Sequence, residues 1–180
     1  LRLWIAGGLA NAMRFLEMLV AGIFAFELTG SAFSVAAVTV ARTLPMLFIG
    51  ALAGVIAEAI NRRTLLLGGL IVMTLNSATL WALAASGQIA LWHIALGGLV
   101  AGVVWASEMA VRRRMVSEVV PSDHVGQAVA LDSVTSSTTR MVGPLIGGVI
   151  FQAFGLDGAY LVSTAVHIVA ALVVTGLVFA

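Results

Sequence analysis

Leu65-Leu-Leu-Gly-Gly-Leu-Ile-Val-Met-Thr-Leu-Asn-Ser-Ala-Thr-Leu-Trp-Ala-Leu-Ala-Ala85 runs without a single charge. As a helix it rises about 31 Å, at 1.5 Å per residue, and that matches a bilayer's hydrocarbon core. The run is too long for a strand, and lipid admits only helices or closed barrels. Two arginines, Arg62 and Arg63, precede it, and Ser86-Gly87-Gln88 breaks it. Working outward, five more apolar stretches separate at about 3–26, 33–57, 89–111, 125–154 and 159–179. Leu28-Thr29-Gly30-Ser31, the polar run Glu58 to Thr64, Arg112 to His124 and Gly155-Leu156-Asp157-Gly158 divide them. These six spans, with 65–85 third in order, define an all-α integral membrane protein.

Composition agrees. Of 180 residues 61% are hydrophobic and 9% charged, against about 25% charged in soluble domains, and the mean hydropathy is +1.12. Soluble enzyme folds, nucleic-acid binders and disordered tails are excluded. With no Cys, disulfides and thiolate chemistry are excluded as well. No His or acid cluster has metal-ligand spacing and no glycine-rich loop fits a phosphate, so no cofactor is expected. All nine basic residues are Arg. Arg2, Arg62, Arg63, Arg112, Arg113 and Arg114 fall on one side of the membrane, while the opposite loops carry only Glu27 and Asp157. The positive-inside rule puts those arginines, and both chain ends, in the cytoplasm. A start at Leu1 and an end in an apolar run lead us to expect a piece of a longer polypeptide, residues 1–180 being its N-terminal six-helix domain.

Charges inside the spans carry the functional signal. Arg14 and Glu17 lie in span one, Arg42 in span two, Asp132 and Arg140 in span five. Each costs a few kcal/mol at mid-membrane unless paired or hydrated. Arg14 and Glu17 share a helix face with Asn11. Asp132, Ser136, Arg140 and Gly143 form one stripe. These groups are expected to line a substrate and proton pathway, ion pairing within the bundle being the bland alternative. Three arginines against two acids leave one positive charge, which favours anionic or hydrogen-bond-rich substrates. Gly50-x3-Gly54, Gly98-x3-Gly102 and Gly143-x3-Gly147 are candidate close helix contacts. Trp4, Trp81, Trp92 and Trp105 suit interfacial belts. His93 and His167 read as hydrogen-bonded packing residues. Arg42-Thr-Leu-Pro45 and Arg140-Met-Val-Gly-Pro144 echo one another in spans of opposite direction, as inverted three-helix repeats would.

Gly54-Val-Ile-Ala57-Glu58-Ala-Ile-Asn61-Arg62-Arg63 resembles the loop signature of the major facilitator superfamily, with Glu58, Ala59 and Asn61 replacing its usual Asp, Arg and Gly. Gly143-Pro144-Leu-Ile-Gly147-Gly148 is similar to the G-P-x-x-G-G motif of antiporter members. Glu27-Leu-Thr-Gly-Ser31 and Ala41-Arg42-Thr-Leu-Pro45 resemble the bacterial exporter branch that includes enterobactin and macrolide efflux proteins. The resemblance implies the first half of a twelve-helix fold, with a second six-helix half on the same polypeptide and alternating access between them. It implies a multi-pass cell-membrane exporter, an antiporter moving drug- or siderophore-like small molecules against protons. Glu17 and Asp132 would be the protonation candidates; Arg14, Arg42 and Arg140 would be substrate contacts or counter-ions. Glu58 would pair with Arg112 or Arg62 and hold a cytoplasmic gate with Gly54 and Arg63. An importer on the same fold is the alternative. An intramembrane protease is the alternative from a different class, but no Ser sits in a G-x-S context with a partnered His.

Overall fold

The computed structural model describes the backbone over 2–59, 62–119 and 125–175, and side chains over 7–49, 64–109, 126–127, 130–131 and 133–175. It contains five helical elements: α1 (Arg2–Thr29), α2 (Ala32–Ala59), α3 (Arg62–Ala85), α4 (Leu91–Val119) and α5 (Val125–Thr175). All five are long and apolar enough to cross a membrane. The first four follow the sequence expectation, with α4 running further than the apolar stretch because Arg112-Arg-Arg114 continues the helix.

The fifth and sixth spans differ from expectation, since they form one 51-residue element interrupted only at Gly155 (φ 71°, ψ −167°). That backbone region is essentially open to glycine alone. The reversal there is sharp. Gly147, before it, packs on Leu16 of α1, whereas Ser163, after it, bonds to Glu17 of α1. A straight helix would hold residues 147 and 163 about 24 Å apart. Two arms of α5 therefore fold back on each other and meet α1 at one level. Gly30 and Gly87, which end α1 and α3, share the positive φ.

The first helix lies at the centre. Half of Gly7–Thr29 is buried, against 17% of Ala32–Ile49 in α2. Leu16, Val20 and Ala25 are wholly buried in a cluster with Val38, Leu80, Ile94 and Tyr160. Around α1, α5 is the main partner; α2 packs chiefly on α4, and α3 on α5 and α4. The outward faces are apolar, as at Leu47, Phe48, Leu75 and Leu145, which suits lipid.

Two of the glycine pairs are true close contacts. A methyl at Gly143 would come 2.6 Å from the Ala12 carbonyl oxygen and 2.9 Å from Phe15 Cβ. A methyl at Gly98 would sit 3.6 Å from Arg42 Cβ, and one at Gly102 3.1 Å from Pro45 Cγ. Gly148 is looser, at 3.8 Å from Leu19. Pro144 lies inside α5 beside this contact. The Gly50-x3-Gly54 pair and Trp4 lie outside the described side chains.

Candidate functional site

Polar side chains from all five helices converge around the middle of α1. Glu17 is 3% exposed and Arg42 6%. One carboxylate oxygen of Glu17, Oε1, accepts hydrogen bonds from Ser77 Oγ of α3 and Ser163 Oγ of α5, each at 2.6 Å. The other, Oε2, faces Arg42 Nη2 at 3.9 Å, an ion pair without a short hydrogen bond. The same Arg42 nitrogen donates to the Arg14 backbone oxygen at 3.1 Å. Spacing explains the sharing: Arg14 and Glu17 stand one turn apart on α1, so a guanidinium reaching in from α2 can touch both.

A second knot lies further along the network. Arg14 Nη2 pairs with Glu108 Oε2 of α4 at 2.5 Å, while its Nη1 donates to Asn11 Oδ1 at 3.1 Å. Asn11 Nδ2 in turn donates to Thr139 Oγ1 of α5 at 2.5 Å. The Arg14 guanidinium also lies over the Trp105 ring, 5.4 Å from its centroid. Trp105, expected in an interfacial belt, thus also packs against a half-buried cation; Trp81 and Trp92 are exposed. Charge-assisted bonds of this kind are the strong ones. Replacing Arg14 and Glu108 by Gln, singly and together, should give a coupling of about 1–3 kcal/mol, read as thermal unfolding of the detergent-solubilised protein.

Between α1, α2, α3 and α4 a small pocket opens beside this ion pair. Glu17, Arg42, Thr39, Asn76, Gly97 and Gly98 contribute to its wall. Asn76 Nδ2 donates to the Gly97 carbonyl at 3.3 Å, so the amide is held at the rim.

Of the residues expected to line the pathway, Asn11, Arg14, Glu17 and Arg42 meet in one network. Arg140 does not join it. It is exposed, with its guanidinium 5.4 Å from the Phe15 ring centroid. Ser136 is half-buried on the same helix, its carbonyl accepting from Thr139 Oγ1 at 3.1 Å. The side chains of Asp132, Gly54, Glu58, Arg62, Arg63 and Arg112 lie outside the described residues, and with them the proposed gate contact.

Four participants were missed in the sequence: Glu108, Ser77, Thr139 and Ser163. Glu108 stands four residues before the Arg run, inside the fourth apolar stretch, and was not counted among the charges of the spans. Adding it to Arg14, Arg42, Arg140, Glu17 and Asp132 balances the formal charge, which corrects the expected surplus of one positive charge. Ser77 and Ser163 gave no signal, because a lone serine in a span ordinarily bonds its own helix. Thr39, Thr74 and Thr164 do bond the carbonyl four residues back. His167, expected to be a hydrogen-bonded packing residue, lies 3.2 Å from Ser163 Oγ through Nδ1. His93 meets expectation, its Nδ1 accepting from the Ala90 backbone N–H at the start of α4.

The Ser163, His167 and Glu17 grouping has the wrong order for hydrolysis. In a nucleophilic triad the acid holds the histidine and the histidine takes the serine's proton. Here the serine donates to the acid and stands between the two.

Residues 1–177 match the family model described as "Transmembrane secretion effector". Among curated proteins, the uncharacterized MFS-type transporter YfiS of Bacillus subtilis is 20% identical over 149 residues, covering 83% of this chain and 34% of that protein. The MFS-type transporter ppzB of Metarhizium rileyi is 28% identical over 116 residues, covering 64% of this chain and 23% of that protein. The matched segment thus spans about a third or less of these relatives' length.

Proposed function

This chain belongs to the transmembrane secretion effector family of the major facilitator transporters, and from that premise we propose that it forms the first half of a proton-coupled small-molecule exporter. The chain is part of a multi-pass membrane transporter, not a soluble catalyst. A second six-helix half, six crossings related as inverted repeats, and placement in the cell membrane with cytoplasmic ends complete the reading. The family's description as a secretion effector and the Gly143-Pro144-x-x-Gly147-Gly148 run support export over import.

The observation that carries proton coupling is the lopsided Glu17 carboxylate. Its Oε1 is saturated by two serine donors, while Oε2 stands 3.9 Å from Arg42 and borders the pocket. A carboxylate held this way can take a proton on either oxygen without breaking a short hydrogen bond to Arg42. Protonation removes the charge that holds Arg42 and frees its guanidinium to work on the Arg14 carbonyl or on bound substrate. Asp132 is the second proton candidate. Arg140, exposed on α5 and without an ion pair among the described residues, is the cation to meet an anionic or hydrogen-bond-rich substrate.

The test uses the full-length transporter in vesicles with an imposed pH gradient and a panel of macrolide and catechol-siderophore probes. In the parent, probe movement should follow the gradient. The Glu17→Gln variant should lose gradient-driven movement yet keep probe exchange between equal pools. Full gradient-driven movement in Glu17→Gln and Asp132→Asn would remove both acids from the coupling and leave ion-pair packing as their role.

A further inference from the structure

The geometry points to His167 and Ser163 as a proton relay that loads and unloads Glu17 from the α5 side, remote from Arg42. The relay rests on the reading of Glu17 as a proton carrier and adds the route by which the proton reaches it. Three buried groups stand in series. Ser163 Oγ donates to Glu17 Oε1 at 2.6 Å, and His167 Nδ1 stands 3.2 Å from the same Oγ and 2.9 Å from the Ser163 carbonyl oxygen. A serine hydroxyl has one proton. Since that proton is committed to Glu17, Nδ1 must carry the hydrogen in its contact with Ser163. The tautomer also satisfies the carbonyl. The donors therefore all point one way, from imidazole to hydroxyl to carboxylate. Nε2 makes no hydrogen bond among the described residues and is the atom at which a proton enters.

The step balances. With Nε2 also protonated, His167 is an imidazolium. Its Nδ1–H bond breaks as an Oγ–H bond forms on Ser163, and the original Oγ–H bond breaks as an Oε1–H bond forms on Glu17. The products are a neutral imidazole with its proton on Nε2 and a neutral carboxylic acid. One positive and one negative charge disappear together, which suits a wholly buried site. The new Oε1–H then donates back to Ser163 Oγ, so the same chain run in reverse discharges the carboxyl.

Among the described residues no other group is placed to do this. Arg42 of α2 cannot give up a proton in practice. Arg14 of α1 is engaged by Glu108 of α4. Between Thr64 and Ala85, α3 has no ionisable side chain and supplies only Ser77. On α5 itself Tyr160 is buried a turn before Ser163 but makes no side-chain hydrogen bond among the described residues. His167 is 2% exposed and Ser163 0%, so bulk water does not compete with the relay.

The experiment follows Glu17 protonation in the full-length protein in lipid vesicles by infrared spectroscopy. The carboxylic C=O band is assigned by its loss in Glu17→Gln, and its appearance is timed after a pH jump. In Ser163→Ala and His167→Gln the band should still form, but on the order of a hundredfold more slowly, as for loss of a positioned proton-transfer group. Ser163→Thr, which keeps the hydroxyl, should restore the rate, and added imidazole should accelerate a His167→Gly variant. A purely structural role would shift the pH midpoint without giving either rescue. Unchanged rates in the Ala and Gln variants, or an equal slowing in Ser163→Thr, would overturn the relay alone. A parent that shows no Glu17-dependent band overturns the reading of Glu17 as a proton carrier, and the relay with it. Should Ser163→Ala fail to give monodisperse protein, His167→Gln and Ser163→Thr decide the matter by themselves.

Discussion

Glu17→Ala should destabilise the helix bundle by about 3–5 kcal/mol, the range for stripping one partner from a buried ion pair. Arg42 would be left 6% exposed with no acid beside it, and Ser77 and Ser163, both 0% exposed, would lose their common acceptor. The two serines can recover by turning to carbonyls of their own helices, but the Arg42 guanidinium, already bonded to the Arg14 carbonyl, cannot replace its counter-charge that way. The cost should therefore follow Arg42. Combining Glu17→Met with Arg42→Met should return most of the lost stability, because an apolar pair of similar volume replaces a desolvated one. Thermal unfolding of the purified protein in detergent measures both variants. A double variant as unstable as Glu17→Ala would show that the serines, not the arginine, set the penalty.

The second large effect is expected at Gly102. A β-carbon there would stand directly against the Arg42 backbone oxygen, with the Arg42 carbonyl carbon at 3.0 Å and Pro45 Cγ at 3.1 Å. These neighbours cannot rotate aside as a flexible side-chain end would, so α2 and α4 must separate. Gly102→Ala should cost about 3 kcal/mol, the upper part of the range for overpacking. It should also disturb the Glu17–Arg42 pair, since Arg42 is the residue pushed. Gly68→Ala is the matched control. Nothing lies within 4 Å of that position, and alanine there should stabilise α3 by up to about 1 kcal/mol. Opposite signs for two Gly→Ala changes in neighbouring helices, read from unfolding midpoints, would establish the contact as the cause.

Helix number and bounds were largely legible because length and hydropathy are set residue by residue. The exception, the join of the last two spans, turned on Gly155. The sequence Gly155-Leu-Asp-Gly158 promises a loop, but a single glycine at φ 71° suffices for the reversal, and Leu156 to Gly158 are helical again. For the site, the charged residues on α1 and α2 announced themselves because a buried charge has no bland background in a span. Ser77, Ser163 and Thr139 did not, since span hydroxyls mostly bond their own helix and only tertiary structure reveals which ones reach across. Glu108 was masked by position: its partner Arg14 lies 94 residues away in the chain, and nothing local connects them.

The reversal at Gly155 has a mechanical consequence. One arm of α5 holds α1 through Gly143 and Gly147, the other through Ser163, and a single residue joins the arms. A force on either arm reaches its twin with no slack segment to absorb it, and α1 is gripped on two sides like a rod in a vice. Rotation of α1 about its own axis would have to break both grips together. Packed elements of this kind respond to load by moving as one body more readily than by deforming internally, so a load applied to α1 is expected to move both arms of α5 with it.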